Sequence, residues 1–300
     1  MTQPVGSTTY LKLIGAMFMW GGTWIAGRIV AQELTSPLAV PAIRFLLAGL
    51  VLAGFAMVIE GRIPRPHGSE WGVVSGLAMT GIFLYALCFF YGLKHISAGR
   101  GALVVALTPV VVALAAWFLG QERMTPVKLA GVAVAMLGCL TVIGNGNPLA
   151  LLHGAVGIGE WLILGCVLCW TAYTFIGRRA TKTLSPLAAT LWASLIGGLL
   201  LGITALIQGG TDLAAWSPAV WASVVFLAIG GTALAFTWFA DGVKRLGAAR
   251  ASAFVNLVPV FAVLQAAVLL DERLGLSVLA GGLLVIAGVW MTANLSEKTA

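Results

Sequence analysis

Apolar residues in this 300-residue chain gather into ten runs, at roughly 11–30, 38–59, 71–93, 99–119, 126–143, 158–178, 185–207, 218–241, 248–269 and 277–294. Charged residues, Gly or Pro bound each one, and each is close to the ~20 residues a helix needs to cross the ~30 Å of a hydrocarbon layer. The pattern predicts an all-α polytopic membrane protein with ten transmembrane helices. The connections are short, as in Leu34-Thr35-Ser36-Pro37 and Leu184-Ser185-Pro186. The longest, from Gly144 to Gly157, contains the turn-forming Asn145-Gly146-Asn147-Pro148 and is the natural boundary between two halves, 1–147 and 148–300.

Those halves repeat one another. Without gaps, an offset of 150 residues pairs Gly15 with Gly165, Trp20 with Trp170, Arg28 with Arg178, Gly81 with Gly231, Arg100 with Arg250, Pro109 with Pro259, Glu122-Arg123 with Glu272-Arg273, and Gly138 with Gly288. Chance does not hold one register across Gly, Pro, Trp and charged positions for so long. Five crossings per copy is an odd number, so the second copy enters the membrane from the opposite side. The result is two inverted five-helix repeats, a common plan for carriers that alternate between two openings.

Composition agrees with the pattern: 60% of residues are hydrophobic, 9% are charged, and mean hydropathy is +1.02. A soluble chain would lack polar residues to cover such a core. The net charge of +7 is scattered singly or in twos and threes, without the continuous basic face a nucleic acid needs. With the N-terminus inside, twelve Lys and Arg fall on the inner side and four on the outer, with Arg44 inside a span. This bias places both termini in the cytoplasm of a plasma-membrane (inner-membrane) protein. The first run contains Trp20, Trp24 and Arg28 and lacks a small-residue cleavage site, so it reads as retained.

Residue types kept in both copies point to architecture, which covers Arg28/Arg178, Lys94/Lys244, Arg100/Arg250 and the Glu-Arg pairs. Pro109 and Pro259 fall near mid-span, where a missing donor bends the helix, and they are the expected kink or gating positions around a common centre. Positions that break the symmetry are the candidates for recognition: Thr108 faces Val258, Asn256 faces Ala106, Tyr85 faces Ala235, Gln265 faces Ala115, and Arg44 faces Ser194. The Asn256 amide either bonds a neighbouring helix or meets substrate. Arg44 either marks a pathway or snorkels to the outer interface, and its place in the span favours snorkelling. Trp20, Trp24, Tyr85, Phe89, Trp170 and Tyr173 lie within spans rather than in interfacial belts; they either line a cavity suited to amphipathic or aromatic solutes or, as several must, serve packing and lipid contact. Asp241 reads as an inner-face ion pair with Lys244 or Arg245. The four cysteines, including the Cys166/Cys169 pair, read as small apolar filler.

Several stretches then carry a resemblance. Ala98-Gly99-Arg100-Gly101-Ala102-Leu103, with Leu107-Thr108-Pro109-Val110-Val111 and Gly120-Gln121-Glu122-Arg123, resembles the EamA-type repeat of the drug/metabolite transporter superfamily. So do Leu257-Val258-Pro259-Val260 with Asp271-Glu272-Arg273, and Trp20-Gly21-Gly22-Thr23-Trp24. In overall appearance the chain is similar to the YddG-type exporters of aromatic and other amino acids. The resemblance implies ten helices with cytoplasmic termini, a central cavity lined largely by spans 1, 3, 4, 6, 8 and 9, and export from the cell. The expectation is a small-molecule substrate, no cofactor and a monomer in the bilayer. Efflux of hydrophobic cations is the alternative, weakened because all ten acidic residues sit near span ends or in loops. An intramembrane enzyme is more distant. His67, His95 and His153 lie in connections, HExxH is missing, and no pair of acids sits mid-span.

Overall fold

The structure, a computed structural model, describes residues 7–121, 124–144, 146–147, 156–180, 182–209, 212–246 and 254–294. Among these residues all regular structure is helical. The helices are α1 (Ser7–Glu33), α2 (Ala39–Ile59), α3 (Glu70–His95), α4 (Ala98–Phe118), α5 (Pro126–Ile143), α6 (Ile158–Ala180) and α7 (Pro186–Ile207). They continue with α8, over 218–246, then α9 (Leu257–Leu269) and α10 (Leu276–Asn294). The first seven are long and apolar enough to cross a membrane; apolar helices at Pro218–Thr232, Phe254–Leu269 and Leu276–Met291 are shorter. Starts follow the local code: Ser97, Thr125, Ser185 and Ser217 each accept from a first-turn N–H, and Pro126, Pro186 and Pro218 occupy the first helical position. Val58, Phe118, Ile207 and Val268 stand exposed on the outside, where a lipid-facing surface is expected.

The principal helix pairings are α5 with α10, α2 with α7, α4 with α9, α1 with α8 and α9, and α6 with α3 and α4. Exchanging each helix for the one five places along maps this set onto itself. The contacts also run in opposite directions. A Cβ on Gly138 would stand 2.5 Å from the Gly281 carbonyl oxygen, and one on Gly288 would stand 2.5 Å from the Gly131 carbonyl oxygen. These four glycines are two 150-offset pairs, so α5 and α10 cross antiparallel through mutually related positions. In the α2–α7 pair, Gly49 meets Leu195, Gly198 meets Leu46, and Gly202 meets Ala42, which is again antiparallel. Small residues let these backbones approach where no hydrophobic driving force separates helix from lipid. Gly198 and Gly202, four residues apart, are used in this way, whereas Gly72, four residues before Gly76, faces open space.

Polar contacts between helices join residues that the chain order puts at the same end. At one end Glu272 accepts from the Ala98 and Gly99 N–H groups (2.9 and 3.2 Å) and lies 3.8 Å from Arg28 Nε. There Arg28 also donates to the Leu93 carbonyl, and Arg100 pairs with buried Glu160 at 3.0 Å and donates to the Ile143 carbonyl. At the other end Asp241 pairs with Lys12 (3.0 Å) and Arg245 (2.8 Å). The partner of Asp241 across the fold is thus Lys12 of α1, a pairing invisible to local sequence. Glu122-Arg123 and Ala248 to Ser252, which the repeat relates to the first network, lie outside the described residues.

Candidate functional site

The aromatics singled out in the sequence form a continuous run across α1, α3 and α6. Trp24 packs on Phe89 (centroids 4.9 Å), Phe89 stacks with Tyr85 (6.1 Å), Tyr85 meets Trp170 edge-on (5.8 Å), and Trp170 packs on Tyr173 (5.3 Å). Trp24 and Phe89 are buried, Trp20 and Tyr173 partly so, and Trp170 is exposed. Trp20 stands apart, packed on Phe239 (5.2 Å) with its indole N–H donating to the Gly231 carbonyl (3.1 Å).

Two concavities are described, and both are off this run. One is an open apolar groove of about 610 Å³ between α1 and α8, lined by Met19, Trp221, Val225, Phe226, Ile229 and Leu234. The other, about 320 Å³, lies beside Arg28, Gln32, Glu33 and Glu272.

Breaks flank the aromatic run. The helix α4 is in two pieces, Ala98–Val105 and Thr108–Phe118, separated by Ala106-Leu107, with Pro109 in the first turn of the second piece. Proline cannot donate to the carbonyl four residues back. That carbonyl, of Val105, instead accepts from the Thr108 hydroxyl (2.6 Å). Buried Thr108 therefore serves the backbone. Pro259 is not mid-helix in the described residues: it is the third residue of α9, which is entered through a 3-10 turn at Phe254–Asn256. Its counterpart of Thr108 is Val258, which has no hydroxyl to give. Partly buried Asn256 ends that turn, and its side chain makes no capping hydrogen bond. Gln265, by contrast, donates to the Phe18 carbonyl (2.9 Å) and straps α9 to α1.

A feature with no sequence signal lies in the partner helices. The helices α3 and α8 each change to π-helix part-way, at Ala78–Leu84 and Phe226–Leu234. The two segments coincide under the 150-residue offset and contain Gly81 and Gly231. Runs of π-helix are rare and concentrate at functional sites.

Arg44 reaches this region. Its Nε donates to Thr232 Oγ1 (2.9 Å), and the guanidinium stands 5.3 Å from the Phe45 ring centroid. Thr232 is fourteen residues into α8, about 20 Å from that helix's start at ~1.5 Å per residue. The side chain thus turns across to mid-depth on α8, and the expected snorkelling to the outer interface does not occur. The cysteines behave as packing: Cys88 fits beside Gly165, and Cys166 Sγ lies 3.7 Å from the Tyr85 carbonyl. Among the described residues no group of three or more His, Cys, Asp or Glu is placed to hold a metal.

The sequence pattern of the EamA-like transporter family matches residues 7–144 and again 157–294. The chain belongs to the EamA-like transporter family. Membership of EamA makes it a multi-pass membrane transporter with a small-molecule substrate and accounts for the two copies. The chain is 30% identical to an uncharacterized transporter, YyaM, of Bacillus subtilis over 84% of its own length and 82% of the relative's. It is also 30% identical to a probable terminal-alkyne amino-acid exporter of Streptantibioticus cattleyicolor, over 88% of its own length and 91% of that protein's. A solved crystal structure at 21% identity superposes with a TM-score of 0.63 over 98% of this chain and 99% of the other, so the two share a fold along nearly their whole lengths.

Proposed function

We propose that the protein is an inner-membrane exporter of amino acids, the aromatic ones together with threonine and methionine, and of related amphipathic metabolites. It works as a monomer with ten membrane crossings, both termini cytoplasmic, and two inverted repeats, 1–147 and 148–300, exchanging conformations. The observation that carries this reading is the reciprocal antiparallel contact of Gly138 with Gly281 and Gly288 with Gly131. Halves related in this way exchange shapes, and that exchange turns one opening into the other. The substrate class is supported by the exporter relative and by the aromatic run from Trp24 to Tyr173. The described conformation is tied at the end where Arg28, Arg100, Glu160 and Glu272 meet, which the Lys/Arg bias makes the outer one.

Purified protein in liposomes is expected to move labelled phenylalanine, threonine or methionine. No transport of any of them, with robust transport of a lipophilic cation, replaces this reading by cation efflux. Within the site, Tyr85→Ala and Asn256→Ala are expected to cut transport about tenfold at unchanged yield of folded protein. An equal fall in folded yield reassigns both residues to packing.

A further inference from the structure

We infer that Arg44, with Thr232 and Thr23, forms an oxyanion subsite that holds the carboxylate of the transported solute between α2 and the π-helical segment of α8. The inference rests on the exporter reading above and names the chemical group that the site would recognise.

The first argument is the state of the guanidinium. Arginine carries five N–H donors and stays charged. Here one donor meets Thr232 Oγ1, and among the described residues no carboxylate pairs with the side chain. Among the described residues, Arg28 by contrast has Glu272, Arg100 has Glu160 and Arg245 has Asp241. An uncompensated cation inside a membrane protein is costly and marks a pathway or a ligand. The planar fork of the guanidinium matches a carboxylate bidentately. Thr232 is engaged on both sides, accepting from Arg44 and donating to the Leu227 carbonyl five residues back (2.9 Å), and that spacing exists only because α8 is π-helical there. The π-turn therefore fixes the guanidinium and leaves its outer nitrogens for a partner.

The second argument is the asymmetry of the repeat. Around Gly231 stand Arg44, Thr232 and Thr23; the 150-residue offset places Ser194, Ile82 and Tyr173 about Gly81. A Cβ on Gly81 would stand 2.2 Å from the Tyr173 ring, so that ring fills the space in the first copy. At Gly231 the corresponding contact is the small Thr23 side chain, at 2.7 Å, with Arg44 Nη2 at 3.9 Å. One copy is plugged by an aromatic ring, and the other is polar and cationic. The indole of Trp20 is one helical turn from Thr23 and is held on the Gly231 carbonyl, so an aromatic side chain borders the subsite.

The test compares phenylalanine with phenylalaninamide, which lacks the carboxylate, in binding to purified protein in detergent and in transport by liposomes. Wild type is expected to favour phenylalanine at least tenfold. Arg44→Gln should bring phenylalanine down to the amide's level and leave the amide unchanged, and Arg44→Lys should restore part of the preference. Equal loss for both solutes, or a wild type that does not discriminate, overturns the subsite. If Arg44→Gln does not fold, competition in wild type decides: 3-phenylpropionate should displace phenylalanine at least tenfold better than 3-phenylpropionamide, and equal competition overturns the proposal. Binding with discrimination but no transport sinks the exporter reading and leaves the subsite standing. Absence of binding by any carboxylate sinks the subsite.

Discussion

Gly138→Ala is expected to lower the yield of folded protein sharply and to depress the melting midpoint of what remains. The added Cβ would stand 2.5 Å from the Gly281 carbonyl oxygen, 2.6 Å from the Val285 nitrogen and 2.9 Å from the Leu284 Cβ. Two of these atoms are backbone, so no rotamer change relieves the clash and α5 must move off α10. Overpacking of this kind costs about 1–3 kcal/mol even where side chains can give, and here they cannot. Gly288→Ala should match it, because its Cβ meets the Ala135 nitrogen and the Gly131 oxygen at 2.4 and 2.5 Å. Gly72→Ala is the control. That glycine faces open space, and alanine favours a helix over glycine by about 1 kcal/mol, so stability should hold or rise. Thermal unfolding in detergent with size-exclusion profiles decides, and a Gly138→Ala protein as stable as wild type would show that the two helices do not meet as described.

Glu272→Ala should produce the second large loss, at the opposite surface of the same problem. The first N–H groups of a helix have no partner inside it. For α4, Glu272 supplies both, at Ala98 and Gly99, and its charge complements the helix dipole and Arg28. Removing it leaves two N–H donors without their acceptor and Arg28 without its counter-ion, for about 2–4 kcal/mol. Glu272→Gln keeps one acceptor oxygen and should lose less. Because the carboxylate comes from beyond α9 and the helix it caps is in the other repeat, Glu272→Ala should also loosen the seal between the halves. Unfolding midpoints in the order wild type, Gln, Ala are the expected series; an Ala variant within about 0.5 kcal/mol of wild type contradicts the capping role.

Neither effect is readable from local pattern, and the reason differs in each case. The offset pairing of Gly138 with Gly288 is visible in the chain, but their meeting with Gly281 and Gly131 depends on how two apolar helices cross. Helices that are apolar on most sides carry little directional information about which face meets which neighbour. Arg44 shows the same limit. Its presence inside a span is evident, yet α2 has no polar stripe to say which way the side chain leaves the helix, so reach to the interface looked the better option. The offset does hold a clue: Thr23 opposite Tyr173 and Thr232 opposite Ile82 are asymmetric positions that, beside Arg44 opposite Ser194, mark one polar corner. The two π-helical segments contain no proline, and within them Gly81 packs against α6 and Gly231 against α1.

What the sequence by itself determined is the set of membrane-length runs, their caps and turns, the duplication at 150 residues and the membership of an aromatic group. These follow from two short-range demands: backbone polar groups must be satisfied within each segment in lipid, and a copied segment keeps its small and charged positions. Tertiary structure alone decided which aromatics touch, that Thr108 serves the Val105 carbonyl while Asn256 makes no capping bond, that Lys12 answers Asp241, and that the Arg44 guanidinium turns inward to Thr232. Each of those depends on the rotation of one helix against another, a quantity that a uniformly apolar segment does not encode and that only close packing of all the helices fixes.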